Sequence, residues 1–281
     1  MTLRLAAAQA EAVAAHDTDG LAANATTAAR LVDRAADEGA RVVVLPEAFL
    51  TGYDAAVLAG PLPGPGDLDS AWLDPLREAV ERTGVVALVG VALDRGGSRT
   101  LSLLLAAPGR QEVVYDKQHL DGPERPAFTP GAHGVLLDVD DHLLGLSVCY
   151  DGCFPEHARA AADAGAVGYL ASAAYFTGGE HRADLYYRAR ALDNGMYVAF
   201  AGLTGRCGSG DFIGASAVHD PEGRTLARLG REEGVAVADL DPDLVAATRA
   251  RHTMTADHRA SLGDMVRLTV RGTCPRGLSA S

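Results

Sequence analysis

Cysteine, aromatic side chains and positive charge are all scarce in this 281-residue chain, and each scarcity narrows what it can be. Four cysteines, at 149, 153, 207 and 274, are too few and too unevenly spaced for the disulfide framework of a small secreted domain. Reduced thiols in a cytoplasm are expected instead. Lys and Arg total 25 against 37 Asp and Glu, a net charge of −12, which argues against a nucleic-acid partner because phosphate binding needs a cationic face. No apolar run approaches the ~20 residues of a membrane span, and MTLRLAAAQAEAV lacks the charged start and long apolar stretch of a signal peptide. The expectation is a cytoplasmic protein with no membrane and no nucleic acid as partner. Aromatics are only 5% while hydrophobic residues reach 48%, so the core must come from Ala, Val and Leu and is large enough to stand without staples.

Hydrophobic periodicity alternates between helical and extended. Leu3 to Ala8 reads as a strand, and Asp17 to Gly20 caps a helix that Gly39 ends. RVVVL, Arg41 to Leu45, is a β-branched run suited to a strand covered on both faces. Helices are expected at Pro75–Thr83, Pro155–Ala164, Glu180–Asn194 and Pro242–Ala250, the third with Leu185, Ala189 and Leu192 on one face. Strands are expected at Val85–Leu93, Thr100–Ala106, Glu112–Tyr115, Val135–Val139, Leu143–Val148, Val167–Ser172 and Met196–Ala201. Shorter strands follow near Ala215–Val218, Thr225–Leu229 and Val235–Asp239. Tight turns join several strand pairs, so the sheets of this α/β chain must be mixed. No repeat or linker marks a boundary, and residues 1–281 read as one domain with an extended C-terminal tail from about residue 252.

Three polar residues stand directly beyond apolar strands: Glu47 in VVLPEAFLTGY, Lys117 in VVYDKQHL and Cys149 in LSVCYDGCFPE. Ligands of α/β sheets gather in the crevice beyond the carboxyl ends of strands. A cysteine at a strand-to-helix turn is expected to gain acidity from the helix N-terminus. The amide of Tyr150 and the Lys117 ammonium would face an oxyanion formed by thiolate attack on a carbonyl. Glu47 would move the protons. Taken singly, each has a blander reading: a small buried hydrophobe for the thiol, solvated surface charges for the other two. Cys149, Cys153 and His157 also recur at helical spacing, which leaves a metal site open, and the two thiols leave a redox pair open. Structural packing is the default for Cys153.

With these motifs in order, from LRLAAAQA through LPEAFLTGY, YDKQHLDGPERPAFTPG, CYDGCFPEHAR, YRARALDNGMYVAFAGLTG and FIGASAVHDPEGRTLA, nearly the whole chain resembles the nitrilase superfamily of carbon-nitrogen hydrolases. The resemblance implies an α-β-β-α sandwich with two mixed sheets, no metal or cofactor, and a homodimer or larger assembly. It casts Glu47 as general base, Lys117 as oxyanion-stabilising lysine, Cys149 as nucleophile and Glu124, in GPERPAFTPG, as a second glutamate beside the lysine. Tyr150-Asp151 after the cysteine resembles the amidase and carbamoylase branches, which implies hydrolysis of a small linear amide through a thioester, with N-carbamoyl hydrolysis as the alternative. A nitrilase or a noncatalytic ligand-binding relative would also keep the fold. Where relatives often carry arginine in CYDxRFPE, this chain has Cys153. Tyr53, Tyr150, Tyr175, Phe176 and His181 are the candidate substrate contacts, the last three in SAAYFTGGEHR after the next strand.

Overall fold

A computed structural model describes residues 1–259 and 261–270. In chain order its first half runs β1 (Leu3–Gln9), α1 (Thr18–Asp37), β2 (Val42–Val44), α2 (Ala55–Ala59), α3 (Asp74–Thr83), β3 (Val86–Asp94), β4 (Arg99–Ala107), β5 (Arg110–Asp116), β6 (Leu136–Val139) and β7 (His142–Val148). The second half runs α4 (Pro155–Asp163), β8 (Gly168–Ala173), α5 (Glu180–Asn194), β9 (Tyr197–Gly202), β10 (Thr204–Cys207), β11 (Gly210–Ile213), β12 (Ala217–His219), β13 (Thr225–Arg228), β14 (Gly234–Leu240) and α6 (Pro242–Arg251).

Two six-stranded sheets form, in the orders β14-β1-β2-β3-β4-β5 and β13-β12-β9-β8-β7-β6, with β10-β11 as a separate hairpin. Both are mixed in the same way. A parallel centre, β1-β2-β3 or β7-β8-β9, is extended by antiparallel strands on each side.

Strand alternation explains the layering, because neighbouring residues of a strand face opposite ways. Val42 and Val44 of β2 join Leu146 of β7 and Leu170 of β8 in the cluster between the sheets. Val43 turns outward and joins Leu31, Val32 and Ala35 of α1 and Leu76 of α3. On the far side Tyr169 and Ala171 of β8 meet Ala158 of α4 and Tyr187 and Ala191 of α5. The result is helices, sheet, sheet and helices, the mixed α-β-β-α sandwich. Asp17 caps α1 by accepting the Gly20 amide at 3.0 Å, and Gly195 ends α5 with φ of +53°, a conformation that costs glycine least.

The face of α5 that carries its leucines points outward. Leu185 and Leu192 of α5 are exposed, and Ala189 is half-buried. The helix buries Ala183, Tyr187, Arg190, Ala191 and Asn194 instead. Leucine periodicity misleads here because Tyr187 brings a larger apolar ring, and its hydroxyl finds a partner in the Cys149 carbonyl at 3.0 Å. The β10-β11 hairpin is a further element that periodicity does not reveal. After α6, residues 261–270 have no regular structure and expose Leu262, Met265, Val266, Leu268 and Val270.

Candidate active site

Glu47, Lys117 and Cys149 reach one place because of strand direction. β2 delivers Glu47 three residues past its end. Two antiparallel steps, β3 to β4 and β4 to β5, return β5 to the direction of β2, so Lys117 emerges on the same side. β7 of the second sheet runs straight into Cys149. The Glu47 segment lies hard against β3, with Leu45 and Leu50 amides donating to the Leu88 and Gly90 carbonyls at 2.8 and 3.0 Å. A β-carbon on Gly90 would fall 2.3 Å from the Pro46 oxygen and 2.4 Å from the Ala48 nitrogen. Only glycine permits this approach.

Lys117 Nζ donates to Glu47 Oε1 at 2.7 Å and to Glu124 Oε1 at 2.6 Å, and all three side chains are at most 2% exposed. Tyr53 Oη adds a donor to Glu124 Oε1 at 2.7 Å, and the Asp121 amide donates to Glu124 Oε2 at 2.8 Å. Glu124 is thus fully held. Glu47 is not: its Oε2 is buried with no hydrogen-bond partner among the described residues. Two carboxylates sharing one ammonium out of water are a poor investment in stability, which makes the cluster a candidate for chemistry.

Burial pushes Glu47 up to about 7, reinforced by the nearby Glu124 charge and only partly opposed by Lys117. Burial alone would lower Lys117, yet the charges around it, Glu47 foremost, hold it above its ordinary value. Lys117 stays an ammonium throughout. Burial and the Glu47 charge raise the Cys149 thiol well above its ordinary value, outweighing Lys117. This corrects the expected acidification by a helix. Residues Cys149–Cys153 form a short 3-10 turn, and α4 begins only at Pro155, so no α-helix N-terminus adjoins the sulfur. A protonated thiol beside a carboxylate titrating near neutrality can hand over its proton as it attacks, and the fixed ammonium can meet the negative charge that forms.

Cys149 itself is half-buried and takes a φ of +44°, a left-handed conformation that costs a non-glycine residue about 1–3 kcal/mol. The surroundings hold it there. Tyr187 Oη donates to its carbonyl, and Sγ points to the Ala174 carbonyl at 3.8 Å. Asp151, fully buried, takes the Val148 amide and Tyr115 Oη on Oδ2 at 3.0 and 2.7 Å, and the His119 amide and Nδ1 on Oδ1 at 2.8 and 2.9 Å. From sequence, Asp151 serves only as a branch marker. Its position inside the turn, two residues after the cysteine, is the signal that could have found it.

A cavity of about 460 Å³ opens above Cys149, with Lys117 and Glu124 at its wall. Of the expected substrate contacts, Tyr53, Tyr150, Tyr175 and Phe176 line it. His181 does not: it is exposed on the first turn of α5, and the neighbouring Arg182 lines the cavity instead, because one residue along a helix rotates the side chain by about 100°. Asp121, Arg182 and Tyr186 were missed. Cys153 also lines the cavity, its sulfur 3.5 Å from Tyr175 Oη. His157 turns away to Tyr115 and Tyr169 at 2.9 and 2.7 Å. Among the described residues no group of three or more His, Cys, Asp or Glu is placed to hold a metal ion. Cys149 and Cys153 are not disulfide-bonded, and Cys274 lies outside the described residues.

Residues 4–250 match the model of the family described as carbon-nitrogen hydrolase. A Pseudomonas protegens protein described as a hydrolase in the pqqF 5′ region is 33% identical, over 80% of this chain and 80% of its own. An (R)-stereoselective amidase from a Pseudomonas species is 32% identical, over 79% and 80%. Among solved structures, the amidase from Nesterenkonia sp. aligns with a TM-score of 0.76 at 30% identity, covering 89% of this chain and 95% of its own. Other structures of that enzyme hold butyramide, or the acetamide moiety of fluoroacetamide joined covalently to its active-site cysteine.

Proposed function

Because this chain belongs to the carbon-nitrogen hydrolase family, we propose that it hydrolyses the C–N bond of a small linear amide through a thioester on Cys149. The observation that carries this reading is Lys117 clamped between Glu47 and Glu124 beside a strained cysteine at the foot of a cavity. Glu47 accepts the thiol proton as sulfur attacks the carbonyl carbon, and Lys117 faces the oxyanion. Collapse breaks the C–N bond, with the proton passing from Glu47 to the leaving nitrogen. Water then gives a proton to Glu47 and attacks the thioester, and the thiol is restored as the carboxylic acid leaves. Glu124, itself held by Tyr53, keeps Lys117 in place, while Tyr150, Tyr175 and Phe176 form the substrate wall.

The relatives named above support amides over other carbon-nitrogen substrates. The reading extends to a cytoplasmic homo-oligomer; the outward Leu185 and Leu192 of α5 supply apolar surface for a second copy. A panel of amides, N-carbamoyl compounds and nitriles, assayed for ammonia release, tests the function. Amide turnover is the expected result. Nitrile or N-carbamoyl turnover without amide turnover would overturn it.

A further inference from the structure

The proposed mechanism leaves one cation of the cavity unused. Glu47 and Glu124 together outnumber Lys117, so the ammonium has no charge to spare for an anionic substrate group. Arg182, in the first turn of α5, is the other cation of the wall. The other arginines late in that helix do not line the cavity: Arg188 donates to the Gly223 carbonyl at 2.9 Å and pairs with Asp184 at 3.5 Å, and Arg190 reaches the Tyr186 carbonyl at 3.4 Å while its buried Nη1 has no partner among the described residues. Arg182 makes no hydrogen bond or ion pair with any other described residue, and its charge is felt at Cys153 on the same wall.

Space beyond the reacting centre is ample. At about 30 Å³ per heavy atom, the share of a water molecule in the liquid, an amide of butyramide size fills less than half of the 460 Å³. Arg182 lines this same cavity with its donors free of any described partner, and its planar fork matches a carboxylate.

We propose that Arg182 determines specificity by binding a carboxylate at the far end of the substrate, so that the preferred substrates are linear amides with a distal carboxylate. The proposal rests on the amide-hydrolysis reading of the cavity. Asp121 is the opposing charge of the same cavity, and a preference set by it would favour cationic amides. Arg182 is exposed, so water moderates the pair, and the effect falls at the low end of a charge-assisted bond, about tenfold.

The test compares kcat/KM for succinamate, its uncharged isostere 4-methylpentanamide, and 4-aminobutanamide. Wild-type protein is expected to favour succinamate, and Arg182→Gln to lower the succinamate to 4-methylpentanamide ratio about tenfold, with Arg182→Lys falling between. An unchanged ratio in Arg182→Gln, or a wild-type preference for 4-aminobutanamide, overturns the proposal. Calorimetric binding of the same three compounds to Cys149→Ala protein, with and without Arg182→Gln, separates this proposal from the reaction. Ammonia release from the uncharged amide with no Arg182-dependent preference overturns the specificity alone. Arg182-dependent binding of succinamate to Cys149→Ala protein, with no ammonia released from any of the three compounds by the wild type, supports the anion site and overturns the amidase reading.

Discussion

Replacing Glu47 by Gln should make the protein more stable at alkaline pH and nearly inactive. With both carboxylates ionised, the buried cluster of Glu47, Lys117 and Glu124 carries a net negative charge; Glu47→Gln makes it neutral. Glu47 titrates at about 7 in the folded state against 4.5 for an ordinary glutamate. The folded protein therefore keeps a proton that the unfolded chain has released between those values, and stability falls as pH rises through that window. At about 1.4 kcal/mol per tenfold change in proton affinity, the displacement from 4.5 to about 7 is on the order of 3 kcal/mol. The neutral amide of the Glu47→Gln variant removes that penalty, so its thermal midpoint at pH 8 should exceed the wild type's, and the wild-type loss between pH 5 and pH 8 should flatten. Activity moves the other way. A general base contributes about 10²- to 10⁴-fold, and the acidic limb of wild-type kcat/KM, falling tenfold per pH unit below about 7, should vanish with the carboxylate. Thermal unfolding at the two pH values and ammonia release across the range provide the measurements. A Glu47→Gln protein less stable than wild type at pH 8, or retaining a third of its activity, would refute the reasoning.

Other perturbations follow from the same geometry. Asp151→Asn puts a donor where the carboxylate takes two, and should cost about 3–5 kcal/mol in urea unfolding; a loss below 1 kcal/mol would mean that the turn does not depend on it. Because hydrogen bonding from His119 and the charge of His157 overcome burial to hold Asp151 below the usual carboxylate range, its stabilisation is present above the ordinary Asp pKa and is lost as pH falls through the lowered one. Gly90→Ala forces the Glu47 segment off β3, with about 1–3 kcal/mol lost to overpacking and about a hundredfold in kcat from misplacing the base. Full activity in that variant would show that the contact does not position Glu47.

Much of this architecture was legible in one sequence. Apolar runs ending at Pro46-Glu47 and Cys149 read as strands and pointed to the crevice, because a strand covered on both faces is a continuous β-branched or leucine run, whereas Lys117 follows the half-exposed edge strand β5. What stayed hidden depends on partners distant in sequence. Leu185 and Leu192 share one face of α5 in the periodicity, but which face is buried is decided by Tyr187 and its contact with Cys149. The turn after β7 suggests a thiol acidified by a helix, yet that helix begins only at Pro155, and burial together with the charge of Glu47, about a hundred residues away in the chain, raises the thiol instead. Arg182 rather than His181 lines the cavity, and a one-residue rotation on a helix is invisible in a sequence that does not show which side faces the cavity.

The central claim is that Cys149 becomes acylated, and the most direct measurement is rapid-quench mass spectrometry after mixing with an amide substrate. The account predicts an acyl group, of the mass of the substrate less its amine, on the peptide carrying Cys149, formed before steady-state ammonia release and missing in Cys149→Ala. Ammonia release by Cys149→Ala at the wild-type rate, with no adduct on the wild-type peptide, would contradict it.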